Sequence, residues 1–272
     1  MNRQTLRGAF YRKRWLSRLF FFGLLLLLWE LTAAFGPVSP LLLPRVETVA
    51  RVLAQGFVTG SLLMQTLFSL GVIVLGLSIA AALALLMAVA AQLWPFADRF
   101  SDALTVMAHP LPGMALLPLI VIWFGTGTPA VTVVIVHACL WPLLVSLQGG
   151  MRDAPPLYTD IGRNLSMSRI GIVLEILLPA ALSQAVTGLR IGWARAWRAL
   201  ISAEMVFGAI GAYGGLGWYL FKQRAMMNTA GLFAGIVTVA VIGMAVEGLV
   251  FERLERRTLR TRSAGAGKGA GV

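Results

Sequence analysis

The chain is written in long apolar blocks separated by short polar ones. Uncharged runs extend over residues 52–97, 103–151, 205–221 and 225–246. Each is long enough for one or two membrane spans of about 20 residues. A further apolar stretch, 16–35, follows a basic segment and fills a first span. The pattern places span two within 62–92, an inner turn at 94–99, and span three at about 103–124. An outer turn follows at 125–129, then span four at about 130–147. Span five runs from near 180 to near 208 and span six from about 229 to 250. Pro110, Pro112 and Pro118 fall inside span three, where prolines bend a membrane helix and free carbonyls that packing must satisfy. Between spans one and two, Pro37, Pro40 and Pro44 forbid a helix at first, and residues 46–53 then suit a short surface helix. The glycine-rich stretch 211–219 predicts a folded outer loop. The expected fold is an all-α polytopic membrane protein with six transmembrane helices.

Residues 155–179, PPLYTDIGRNLSMSRIGIVLEILLP, interrupt this rhythm. Leu157, Ile161 and Leu165 fall at i, i+4, i+8, one stripe of a short helix. Ser166 and Ser168 offer a break and a fresh N-cap. Ile170, Val173, Leu174 and Leu177 make a second stripe, and Pro179 lies where it runs out. Two short amphipathic helices of this kind lie flat on a bilayer or press an apolar stripe into a groove on another protein. An ordinary cytoplasmic loop is the plainer alternative.

Composition agrees with a membrane chain: of 272 residues, 58 % are hydrophobic and 12 % charged, about half the charge of a soluble domain. The net charge of +12 would suggest nucleic acid in a soluble protein, but the basic residues cluster at the two ends. Arg3, Arg7, Arg12, Lys13, Arg14 and Arg18 precede the first span, and Arg253, Arg256, Arg257, Arg260, Arg262 and Lys268 follow the last. That is the positive-inside pattern for both termini, and six spans give inner segments an excess of about four to one in basic residues. Nucleic-acid binding is excluded on this reading. Thr32-Ala33-Ala34 offers a weak signal-peptide cleavage site, but the apolar stretch is full span length and carries Trp29 and Glu30, unlike a signal core. Cys139 is the only cysteine, so no intrachain disulfide or cysteine zinc site is possible.

The 155–179 stretch resembles the EAA loop of bacterial binding-protein-dependent ABC importer permeases. Asp160-Ile161-Gly162 stands where Glu-Ala-Ala would be, Ser166 stands at a following Gly, and Ile176-Leu177-Leu178-Pro179 matches the tail in full. The departures keep charge sign and mostly small size. PLLLPRVETVARVL (40–53) and LLPLIVIWFGTG (116–127) resemble the nitrate/sulfonate/taurine branch of the family, and Ala203-Glu204-Met205 matches its Ala-Glu-Met. The resemblance implies a type I ABC importer permease fold in the bacterial inner membrane. It implies a basic cytoplasmic tail at 1–15, a first helix and extracytoplasmic segment at 16–60, and a transmembrane domain at 61–251. The coupling loop falls at 152–178 and a second basic, partly disordered tail at 252–272. Asp160, Ile161, Gly162, Ser166, Ile176, Leu178 and Pro179 are then the ATPase-coupling residues. Implied partners are a second permease copy (a homodimer), a cytoplasmic ATPase dimer that binds ATP and Mg, a periplasmic or lipid-anchored solute-binding protein, and membrane lipid. The branch implies a small anion such as nitrate, a sulfonate, taurine or bicarbonate; pyrimidine thiamin precursors also occur among its relatives.

Candidate pathway residues are Glu204, Arg190, Arg198 and Trp123. A carboxyl group inside a span costs several kcal/mol unless paired, hydrated or protonated. Leu200 and Ile201 are the helical neighbours of Glu204, and Arg198 is too far around the helix, so its partner must be another span, a second subunit or water. Two readings stand for it, a place on the pathway or its gate and a structural contact between spans. Arg190, Arg195 and Arg198 form either an electropositive cavity or a set of snorkelling or intersubunit arginines; their differing directions favour the second. His109 and His137 lack spaced ligand partners and read as packed or kink-satisfying histidines rather than metal ligands. Trp123-Phe124 reads as an interfacial anchor or part of an outer gate. The Gly71/Gly76 spacing reads as close helix packing.

Enzyme motifs are absent. There is no phosphate-binding Gly-x-x-x-x-Gly-Lys-[Ser/Thr], no nucleophile turn and no His-Glu-x-x-His, so no cofactor is expected in this chain and ATP is hydrolysed elsewhere. A secondary transporter would need paired broken spans in inverted repeats and more intramembrane carboxylates, for which Glu204 alone is thin support. An intramembrane enzyme would need a nucleophile–base pair that the sequence does not offer.

Overall fold

A computed structural model describes residues 3–211, 214–255 and 258, with side chains for Ser17 and from Phe20 onward. All regular elements among these are helical. The first, α1 (Arg3–Phe35), runs back beyond its apolar part, Phe20–Phe35. Its C-terminal end is tied down by the two residues that distinguished it from a signal core. Trp29 Nε1 donates to the Pro44 carbonyl at 2.9 Å and the Trp29 ring lies 5.0 Å from that of Phe233. Glu30 accepts from the Val46 amide at 2.9 Å, so it caps α2 (Val46–Val58), whose own N-cap Arg45 supplies no side-chain bond. The expected short helix starts where the prolines end and runs five residues past the predicted 46–53.

Next come α3 (Ser61–Leu93), α4 (Pro95–Ala108) and α5 (Leu117–Phe124), the last preceded by a 3-10 turn at Gly113–Leu116. Two details correct the sequence reading. The inner turn shrinks to Trp94, because Pro95 sits in the first turn of α4, where its missing N–H costs nothing. Span three is not one bent rod but two helices at 90°. Pro110 and Pro112 lie in the break, and Pro118 starts α5 rather than bending it.

The centre of the bundle is α6 (Thr128–Arg152), packed between α3 and a later long helix. The polar segment follows as α7 (Pro156–Asn164), α8 (Arg169–Gly171), a π-helical turn at Ile172–Leu177 and α9 (Leu178–Ala180). After a 65° bend comes α10 (Leu182–Phe207). The chain closes with α11 (Leu216–Ala225), α12 (Thr229–Val246) and a second π-helical turn at Glu247–Phe251. The loop expected at 211–219 is shorter than its glycines suggested, since Leu216–Tyr219 are helical and Leu216, Gly217 and Tyr219 are buried. Its residues 212–213 and the tail expected to be disordered lie outside the described residues.

Among the described residues α3, α6 and α12 with its π-helical continuation are long and apolar enough to cross a membrane. The number rises to five if each bent pair counts as one span. Close approach holds the centre together. A methyl added at Gly76 would lie 2.6 Å from Ile135 and one at Gly188 2.7 Å from Ser146, so small residues set both helix contacts of α6. Gly71 faces open space, so only one glycine of the predicted pair serves packing. Cys139 is fully buried and its thiol donates to the Gly192 carbonyl at 3.1 Å. At the C-terminal end of α6, Arg152 donates to Asp98 at 2.6 Å and Asp102 at 3.2 Å, and Gln148 to Ser101 at 2.8 Å. These bonds clamp α4 beside the start of the polar segment.

Candidate functional site

Three places concentrate chemistry: the α7–α9 ledge, the buried carboxyl group of Glu204, and a cavity beside the α4–α5 break.

On the ledge, Leu157, Ile161 and Leu165 are all exposed, at 63 %, 44 % and 70 %. The predicted stripe therefore exists and turns away from its own chain. The opposite face carries Gly162, which is buried, and a methyl there would lie 2.9 Å from both Ile172 and Ile176. That glycine lets α7 lie flat on the following segment. The helix ends in a Schellman motif: Met167 N–H bonds the Gly162 carbonyl at 3.0 Å and Ser166 N–H the Arg163 carbonyl at 2.9 Å. Such a motif needs a left-handed residue, and Ser166 takes it with φ +56°. Ser168 then caps α8 by accepting from the Gly171 amide at 3.1 Å. Asp160 pairs with Arg163 at 3.3 Å on the surface.

The second predicted stripe is split. Ile172, Val173 and Leu177 are buried, whereas Ile170 and Leu174 are exposed. The π-helical turn adds a residue to the repeat and rotates the inward face away from the 3.6-residue expectation. Ile176 packs on Gly162 as noted, and Leu178 and Pro179 form α9 at the bend into α10.

Glu204 is fully buried. It accepts from the Gly217 amide at 2.7 Å, and Ser69 of α3 approaches it at 3.4 Å. Ser69 in turn accepts from the Leu216 amide at 2.9 Å. Glu204 and Ser69 together thus satisfy the first amides of α11, a helix without a cap of its own. Methyl groups at Gly215 or Gly217 would overlap the Glu204 side chain. The glycines of this loop are there to let a carboxyl group reach the backbone.

The three arginines of α10 divide. Arg190 pairs with Glu247 and, at 3.3 Å, with Glu255, joining α10 to the end of α12. Arg195 and Arg198 do not point in unrelated directions. Three residues apart on a 3.6-residue helix they are about 60° apart, and both line one cavity of about 650 Å³. His109, at the C-cap of α4, His137, Trp141 and Ser202 line it too. The cavity exists because the 109–112 break turns α4 away from α5. Trp123, 66 % exposed on α5, is not among its lining residues, and neither are Glu204 and Arg190. The sequence signal for the cavity was the i, i+3 arginine pair together with a histidine next to the proline cluster.

The family model for the binding-protein-dependent transport system inner membrane component matches residues 80–260. The chain belongs to this family. Among its relatives, the taurine transport system permease protein TauC of Escherichia coli is 31 % identical over 240 residues, covering 86 % of each chain. The putative aliphatic sulfonates transport permease protein SsuC of Bacillus subtilis is 26 % identical over 97 % of this chain and 94 % of its own. The bicarbonate transport system permease protein CmpB of Synechococcus elongatus is 28 % identical over 86 % of each. The protein is thus an ABC-type importer permease, a multi-spanning inner-membrane subunit whose role is transport, with ATP hydrolysis in a separate chain. Membership implies the usual company of such a permease: an ATPase, a solute-binding protein and a second permease copy.

Proposed function

We propose that this permease crosses the membrane six times with both termini inside, pairs with a second copy of itself, and carries a small anion inward. The Phe20–Phe35 helix, α3, α4–α5, α6, α10 and α12 would be the six spans. The clustering of basic residues at both chain ends supports the orientation, which puts α7 in the cytoplasm. The domain limits of 1–15, 16–60, 61–251 and 252–272 follow from it. The anionic cargo is supported by what the relatives are named for: taurine, aliphatic sulfonates and bicarbonate.

The ledge is the coupling element in this reading, and one observation carries it. A helix at the polar face of an apolar bundle turns Leu157, Ile161 and Leu165 outward while Gly162 seats its back on Ile172 and Ile176. A stripe exposed in this way has the form of a helix laid into a partner's groove, here a groove of the ATPase dimer. Asp160 sits beside the stripe, Ser166 shapes its end, and Ile176, Leu178 and Pro179 join it to α10, so that nucleotide-driven movement of the ATPase pair would tilt α10. Of the pathway candidates, Arg198 faces the path. Arg190 and Glu204 brace the helices around it, and Trp123 sits at the membrane interface.

The test is co-purification. Ile161→Asp and Asp160→Lys change exposed positions, so the chain should insert normally yet lose its ATPase, and ATP-driven uptake with it. Undiminished recovery of the ATPase with both variants would overturn the coupling role.

A further inference from the structure

The cavity beside the α4–α5 break holds two cations without counter-charges. Arg190 of the same helix has acidic partners, Glu247 and Glu255, and Arg152 at the end of α6 has Asp98 and Asp102. Arg195 and Arg198 have no ion pair among the described residues, and Arg198 donates only to the Ala194 carbonyl of its own helix at 3.1 Å. No acidic side chain lines the cavity. Arg195 and Arg198 lie about 20 and 24 Å from the start of α10 and about 18 and 14 Å from its end at 1.5 Å per residue, farther than an arginine side chain extends to snorkel. Two like charges one turn apart also repel.

A second observation comes from neutral groups. The Trp141 indole N–H is buried and has no hydrogen-bond partner, and the buried His137 ring has no well-aligned one, only the Ala108 backbone beside it. Buried polar atoms are nearly always paired, and both of these residues stand in the wall of the same cavity. Arginine and tryptophan only donate, and histidine and serine can donate. The lining is therefore rich in donors and has two uncompensated positive charges. A cation would be repelled, and a wholly apolar ligand would leave the donors unmet. A ligand with several acceptor oxygens and a negative charge meets both needs. The volume, about 650 Å³, exceeds one oxyanion and leaves room for a short organic tail.

We infer that this cavity is a binding station for a small organic oxyanion of the sulfonate class inside the membrane, with Arg195 and Arg198 as charge partners and Trp141 and His137 as neutral donors. The inference rests on the importer reading for the presence of a cargo. It goes beyond that reading by assigning recognition to this chain rather than leaving it to the binding protein alone.

The only native cysteine, Cys139, is fully buried, which permits a direct test on the full chain in detergent. A cysteine introduced as Ser202→Cys stands in the cavity wall, and one introduced as Val58→Cys stands on exposed α2 as reference. Each is treated with 2-sulfonatoethyl methanethiosulfonate and with the trimethylammonium reagent of the same length. In both reactions the thiolate displaces methanesulfinate and forms a mixed disulfide. The Ser202→Cys chain should prefer the sulfonate reagent over the cationic one by at least about tenfold relative to the reference site, as a focused positive potential demands. Methanesulfonate should slow that reaction and choline should not. Adding Arg195→Gln and Arg198→Gln should bring the preference down to the reference value, while Arg198→Lys alone should keep most of it. Continued protection of Cys139 certifies the fold of each variant; where the double variant exposes it, the two single glutamine variants carry the test. Equal reagent preference at the two sites, or a preference that survives loss of the arginines, overturns the inference. An unselective cavity in a chain that still holds its ATPase overturns this station and leaves the importer reading standing. Loss of the ATPase with selectivity intact counts against the coupling role of α7 and leaves the station standing.

Discussion

Ser166 holds a backbone angle that suits glycine. Left-handed geometry costs a side-chain-bearing residue about 1–2 kcal/mol, part of which glycine returns through the greater freedom of its unfolded chain. Ser166→Gly should therefore stabilise the protein by about 0.5–1 kcal/mol and raise the midpoint of thermal unfolding in detergent, whereas Ser166→Val should lower it. The sequence already marked Ser166 as a helix break, and the family resemblance put a glycine there. What one sequence does not carry is the sign of φ, which depends on the two Schellman bonds that close over it. Gly162 was legible in a different way: its place in the loop was read from the resemblance, but the contact that explains it, with Ile172 and Ile176, needed the fold.

At the scale of elements, α11 owes its first turn to side chains from α10 and α3. Glu204→Ala should remove the acceptor for the Gly217 amide and cost about 1–3 kcal/mol, the penalty for leaving a buried donor unmet. Glu204→Gln keeps an acceptor oxygen and should cost markedly less. Chemical denaturation of the two purified variants against the parent checks the order, and equal losses would contradict the capping role. Reasoning from helical spacing sought the partner of Glu204 in another span, a second subunit or water. Ser69 answers the first of these, but the stronger bond comes from a backbone amide in the first turn of α11, a donor that side-chain patterns do not reveal. The glycines at 215 and 217 were the visible trace of it. The π-helical turn at Ile172–Leu177 was invisible for a related reason, since one extra residue per turn leaves the list of apolar residues unchanged and alters only which of them point inward.

Across the whole molecule, the apolar blocks predicted the positions of α3, α6, α10 and α12 to within about five residues, because hydrocarbon thickness sets the length of an apolar run, whereas α1 begins 13 residues before its predicted start. The prolines predicted a bend in span three, although not that it would reach 90°. How the helices pair was not legible, since it follows from small residues meeting at single points, Gly76 on Ile135 and Gly188 on Ser146. The proposed topology has a direct check. A cysteine introduced as Leu165→Cys should react with an impermeant maleimide only after the cells are opened, while one introduced as Val58→Cys should react in intact cells. Labelling of the Leu165→Cys chain from outside would invert the arrangement and remove the ledge from any cytoplasmic motor.

The way α1 is fastened has its own consequence. Its recorded ties, Trp29 to Pro44 and Phe233 and Glu30 to Val46, gather at one extremity, while Phe20, Phe21, Phe22, Leu25 and Leu28 stand bare along its flank. A rod pinned at one tip is a mooring line more than a wall. Loss of the Trp29 and Glu30 ties should therefore set the rod loose while leaving the packing of α6 against α3 and α10 as it is.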